Sequence, residues 1–297
     1  MFDVALSVSA FVRSNTHADV AWMVSPDAST DALALTPGGG RIGSVAQGVF
    51  DSALADIANL KLTQGRLVTF TVGAFEASIS RYSEGTKAQF LLIPVELFPA
   101  RTWPALLDRE PIAVVCTLDG TDVVAIDCFT AGTISEANER TRELFEKGTS
   151  SVSAHENQVI TVLVPTTKLV IAGSGPIAEA LEAMAQTMGW NVRCETRNDV
   201  VAGYVADMSP MDGVVIMGHN VEQSARSLEL ALESDAGYIG ALGSKKMQEA
   251  REDWLAYRDV TDLSRVHGPA GLNIRASAPG EVAVSILAEM IAVLKGL

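Results

Sequence analysis

Six residues constrain this chain more than any others. Gly173-Ser174-Gly175-Pro176-Ile177-Ala178 stands between an apolar run suited to a buried strand, Lys168 to Ala172, and a stretch of helical apolar spacing, Pro176 to Met188, with Ile177, Leu181, Met184 and Met188 on one stripe. Gly173 permits the tight turn, Gly175 lets a phosphate approach the backbone, and Ala178 allows close packing of helix on sheet. Pro176 fits an early helical position, where its missing N–H costs nothing, although it also removes one phosphate donor. The same glycines would serve a turn that only closes strand onto helix.

Around this turn the pattern alternates. A second strand is expected at Asn191 to Glu195, a third at Gly213 to Met217, a helix at Val221 to Glu233, a strand at Gly237 to Ala241, and helices at Lys245 to Tyr257 and Pro279 to Leu294. Such alternation predicts a Rossmann-like, doubly wound parallel sheet. The first half reads differently, as a mostly-β α+β domain. Strands are expected at Val4 to Val12, Ala21 to Val24, Leu67 to Val72, Phe90 to Val95 and Val159 to Val164, with a hairpin of Ile112 to Leu118 and Asp122 to Asp127 across Asp119-Gly120-Thr121. The Gly-rich run Pro37 to Gly40 leads toward a helix at Asp51 to Leu60. Ser135 to Lys147 reads as a charged helix and Gly148 to Gln158 as a polar run. The fold class is thus α/β in two domains, 1–165 and 166–297.

Composition excludes several functions. With 22 basic and 36 acidic side chains the formal charge is −14, the wrong sign for tracking nucleic-acid phosphates. The final helix carries Glu281 and Glu289 and is too short to span a bilayer. Met1 to Val20 lacks the basic and apolar regions of a signal peptide, and three cysteines without zinc-ligand spacing suggest a reducing cytoplasm and no metal site.

The residues that could hold a ligand cluster on the loops expected at the carboxyl edge of the sheet. Glu195, at the end of the second strand, is sited to bind ribose hydroxyls or is a solvated strand-end carboxylate. Its neighbour Arg197 would suit a phosphorylated group better. His219 follows the third strand, where it could act as a general acid or base, donate to a ligand, or cap a loop. Gly240 and Gly243 flank a second Gly-rich turn, in which Ser244 can cap a helix and Lys245 can hold an anion. His267 and Gly271 lie in a Gly/Pro loop suited to lining a site. His17 and His155 read as surface residues. No paired acid and base or nucleophile dyad stands out, so the chain reads more as a cofactor-binding chaperone than as an enzyme.

Four segments in order resemble the xanthine dehydrogenase accessory family (XdhC/CoxI). They are Leu169 to Gly175; His219 after its strand; Tyr238-Ile239-Gly240-Ala241-Leu242-Gly243-Ser244-Lys245-Lys246; and His267-Gly268-Pro269-Ala270-Gly271-Leu272-Asn273-Ile274 followed by Pro279 to Glu289. The resemblance implies a maturation factor that binds the molybdenum cofactor (molybdopterin) and delivers it to a molybdenum hydroxylase apo-enzyme such as xanthine or carbon monoxide dehydrogenase. A sulfurase for that enzyme is a further implied partner. An NAD(P)-binding oxidoreductase and a non-catalytic scaffold paralogue are the alternatives, and a homodimer is expected. The first half departs from the family pattern. Where its Gly-Gly-Cys-x-Glu signature falls, this chain has Gln47, Val49 and Asp51, and valine can neither ligate molybdenum nor carry sulfur. The leading helix of the family is expected to be missing, and its aspartate falls near Thr196, leaving Glu195 as a shifted substitute.

Overall fold

The computed structural model describes residues 1–218 and 220–296. The chain divides into two compact units, Met1–Pro165 and Thr166–Leu297.

The first unit is built on one antiparallel sheet. It contains α1 (Phe2–Arg13), β1 (Asp19–Ser25), β2 (Ala32–Thr36), β3 (Gly40–Gly43), α2 (Asp51–Ala58), β4 (Arg66–Thr71), α3 (Ala74–Ile79), β5 (Lys87–Pro94), α4 (Thr102–Leu107), β6 (Ile112–Asp119), β7 (Asp122–Thr130), α5 (Glu139–Glu146), β8 (Ser151–His155) and β9 (Gln158–Leu163). The nine strands run in the order β3-β2-β1-β5-β4-β7-β6-β9-β8. Alternate residues of β1 and β5 feed two cores: Val20, Trp22, Leu91 and Ile93 pack with α1 and α4, while Ala21, Met23, Phe90 and Leu92 pack with α2. Burial on both faces explains why these strands read as unbroken apolar runs.

Several expectations for this unit are corrected. Val4 to Val12 is not a strand but the body of α1, and the chain therefore does carry a leading helix. Its β-branched residues suggested a strand, yet the buried set is Val4, Ala5 and Val8 while Leu6 faces water, a helical spacing anchored by Asp3 and Arg13 at the favourable ends. The Gly-rich run is a hairpin turn joining β2 to β3 rather than a helix-opening loop. The polar run Gly148 to Gln158 contains β8, an edge strand whose outward side chains can afford to be polar. The charged helix begins only at Glu139, where Asn138 accepts a hydrogen bond from Thr141 N at 2.8 Å.

The second unit holds β10 (Lys168–Ala172), α6 (Pro176–Thr187), β11 (Asn191–Glu195), α7 (Asn198–Val205), β12 (Gly213–Ile216), α8 (Val221–Leu232), β13 (Tyr238–Ala241), α9 (Lys245–Ala256), β14 (Val266–His267) and α10 (Pro279–Leu294). All strand pairs are parallel, in the order β11-β10-β12-β13-β14. Leu169, Ile171 and Val215 face α6 and α10 on one side; Val170, Val214 and Ile239 face α7, α8 and α9 on the other. This is a doubly wound sheet: β11 is added on one side of β10 and β12 on the other, so the strand order reverses between β10 and β12, the point where ligands gather in such folds. Among the described residues no helix is long and apolar enough to cross a membrane.

Candidate functional site

The ends of β10, β12 and β13 continue their ladder into the loops beyond them. Gly173 N donates to Glu195 O at 2.8 Å, Met217 N to Ala172 O at 2.9 Å, and Leu242 N to Ile216 O at 2.8 Å. Each Gly-rich loop therefore leaves the sheet at the same edge. At Gly173 (φ +152°) an added Cβ would lie 2.8 Å from Met217 Cβ, so glycine is demanded by the neighbouring strand. At Gly175, the N-cap of α6, φ is +109° and nothing stands within 4 Å of an added Cβ. The two glycines thus divide the labour. The first closes the turn, and the second leaves open space above a helix N-terminus that no side chain caps.

Glu195 does not reach outward. Its Oε1 accepts from Thr196 N at 2.7 Å and Arg197 N at 3.0 Å, bonds that hold its carboxyl below the usual range. Arg197 is in turn forked onto Asp199, through Nε at 3.1 Å and Nη2 at 2.5 Å. The pair forms a self-contained turn leading into α7. His219 lies outside the described residues.

The second Gly-rich loop carries the expected helix cap. Ser244 is the N-cap of α9 and accepts from Met247 N at 3.4 Å, and the exposed Lys245 opens the helix. Gly240 is overlaid by the ring of Tyr238, whose atoms would stand 2.8 Å from an added Cβ. His267 stacks on that same ring, centroids 4.9 Å apart, and Gly271 N donates to Glu289 Oε2 at 2.8 Å. His267 and Gly271 are thereby tied to β13 and α10.

Sequence reasoning missed three residues of this edge. Tyr238 is buried and donates to Glu289, a role that the place of Glu289 in an apolar helix does not reveal. Arg251 is a fully buried cation on α9. Nothing in local spacing marks either role, because each depends on which neighbour covers the side chain. In the first unit, His17 is also no bland surface residue. Its Nδ1 lies 2.9 Å from Glu96 Oε1 and its Nε2 3.8 Å from Oδ2 of the buried Asp19. Neither carboxylate oxygen of Asp19 has a hydrogen-bond partner among the described residues. Among the described residues no group of three His, Cys, Asp or Glu side chains could hold a metal.

The second unit is therefore a Rossmann-like domain with its glycine-rich loops gathered at the carboxyl edge of a parallel sheet. Residues 169–290 match the family model described as the XdhC Rossmann domain, which shows the family resemblance over that unit. The Escherichia coli (strain K12) protein described as uncharacterized protein YqeB is 26% identical over 151 residues, 42% of this chain; the match spans only 27% of that relative's length. A solved Bacillus halodurans chain described as a xanthine dehydrogenase is 19% identical at a TM-score of 0.46, over 98% of this chain and 96% of that one.

Proposed function

We propose that this chain is an accessory factor for a molybdenum hydroxylase, binding a phosphate-bearing cofactor at the carboxyl edge of its second unit and handing it to the apo-enzyme or its sulfurase. The match of residues 169–290 to the XdhC Rossmann domain carries this reading. The open approach at Gly175 and the capped, lysine-bearing N-terminus of α9 support it, since both present backbone N–H groups to an anion.

The residues suit one end of a molybdenum cofactor and not the other. Gly175, Gly243, Ser244 and Lys245 fit its phosphate. Val49 offers the metal no donor and packs against the core beside α2, and no ligand cluster replaces it among the described residues. When bound, the cofactor would supply all the redox chemistry; the chain would orient and shield it. Glu195 and Arg197 already satisfy backbone and Asp199, which leaves less for the ribose of a dinucleotide and makes an NAD(P)-dependent oxidoreductase the second reading.

Native mass spectrometry of the protein from a molybdenum-replete host tests the proposal. A retained pterin mass, with loss of hydroxylase activity on gene deletion, is expected. A retained dinucleotide with full hydroxylase activity in the deletion strain would refute it in favour of the second reading, and nothing retained with full activity would refute both.

A further inference from the structure

Arg251 lies on α9 and is only 1% exposed. Its guanidinium donates through Nε to Ser224 Oγ at 2.9 Å, through Nη1 to Leu242 O at 2.6 Å and Gln248 Oε1 at 3.2 Å, and through Nη2 to Gly218 O at 3.0 Å. All four acceptors are neutral. No carboxylate opposes it among the described residues, and burial alone pushes its pKa down. A guanidinium nonetheless stays protonated under all ordinary conditions. The second N–H of Nη2 has no acceptor among the described residues.

An enclosed charge met only by dipoles is costly to keep. The cost falls at a particular place. Gly218 lies two residues beyond β12 and Leu242 one residue beyond β13, and a Cβ on Gly243 would lie 3.6 Å from Nη1. One side chain thus ties together two loops of the carboxyl edge and puts an unopposed positive charge directly behind the exposed Gly243-Ser244-Lys245 turn. Few cations of this strongly acidic chain are placed so.

We infer that the missing counter-charge is a bound oxyanion, a phosphate or the phosphate group of a larger ligand, held against the Gly218 and Gly243–Lys245 loops. Arg251 is the positioning residue of this site. It fixes the two loops at one spacing and adds its field to that of Lys245 and the N-terminus of α9. The inference rests on the proposed function, which already takes a phosphate at this edge; what it adds is the Gly218 loop and the part played by Arg251.

Inorganic phosphate titrated into the full chain at constant ionic strength, followed by backbone amide resonances, tests this. Saturable shifts at Gly218, Gly243 and Lys245 together are expected in the wild type. Arg251→Gln should weaken binding tenfold or more, while Arg226→Gln, which removes a surface ion pair on α8, should leave it unchanged. Absence of saturable shifts in the wild type, or wild-type affinity in Arg251→Gln, overturns the inference. If Arg251→Gln does not fold, the wild-type map still decides, because shifts confined to Gly243–Met247 with Gly218 unmoved would mean a bare helix N-terminus with no part played by Arg251. Phosphate binding without retained pterin in the native mass spectra would defeat the accessory reading and leave this inference standing. A phosphate ester that competes with free phosphate at the same amides, and binds more tightly, identifies a larger ligand as the source.

Discussion

The phenol of Tyr238 donates to Glu289 Oε2 at 2.6 Å, joining the last complete strand of the parallel sheet to the closing helix. The same oxygen accepts from Gly271 N at 2.8 Å, so one carboxylate fixes both the strand and the loop that carries His267. Tyr238→Phe is expected to cost about 1–2 kcal/mol, the worth of a hydrogen bond to a charged acceptor in a partly covered setting. Glu289→Ala should cost more, about 2–4 kcal/mol, since it strands the buried Tyr238 hydroxyl and the half-buried Gly271 N–H. Denaturant midpoints of the full-length variants measure both, and equal midpoints would show that the pair contributes nothing.

Gly173→Ala and Gly175→Ala should separate folding from binding. At Gly173 the new methyl meets Met217 Cβ at 2.8 Å, and a loss of about 2–4 kcal/mol is expected from the forced shift of β12. At Gly175 there is room, but the backbone angles, φ +109° and ψ −178°, lie in a region open almost only to glycine, and alanine there should cost about 1–3 kcal/mol. The Gly175 variant should therefore fold yet retain less ligand in native mass spectra. Full retention would place the ligand elsewhere.

Burial pushes the Asp19 carboxyl up; His17 pulls it down and Glu96 pushes it up again, leaving it at about 6 against an ordinary 3.8. Because the folded value is the raised one, the stabilisation is present below about pH 4 and lost as pH rises through about 6. Linkage sets its size at about 2–3 kcal/mol. Asp19→Asn should therefore gain on the wild type by that amount between pH 4 and pH 7 in urea titrations. Parallel stability profiles for the two proteins would show that Asp19 does not titrate in this way.

Thiol reactivity should follow burial. Desolvation, with Asp127 adding to it, pushes Cys116 up to about 12, and burial also raises Cys128. Cys194 is exposed, though partial desolvation and then Glu182, Glu195 and Glu179 raise it too. A thiol reagent at pH 8 should thus label Cys194 first and slowly, with Cys116 modified only on unfolding. Peptide mapping after timed labelling reads the order. Cys194 also donates to Gly173 O at 3.3 Å, so its labelling rate should fall when a ligand occupies that turn.

The parallel unit was legible because its signals are local. Lys168 to Ala172, Asn191 to Glu195 and Pro279 to Leu294 fall where the structure has them, since buried parallel strands and amphipathic helices announce themselves within a dozen residues. In the antiparallel unit the same reasoning misassigned Val4 to Val12 and passed over β2, β3 and β8. There, β propensity and helical spacing competed over a short segment, and edge strands carry little apolar signal.

The sequence by itself determined the alternation of the second unit and the place of its glycine-rich turns, because the backbone angles those turns need are satisfied almost only by glycine. Tertiary structure alone decided what surrounds them. It folded Glu195 back onto its own backbone and paired Arg197 with Asp199, set Glu289 against Tyr238 across 51 residues of chain, and closed neutral acceptors around Arg251. Charge, burial and partnership belong to the packed chain, and a linear pattern records the residue without recording what will cover it.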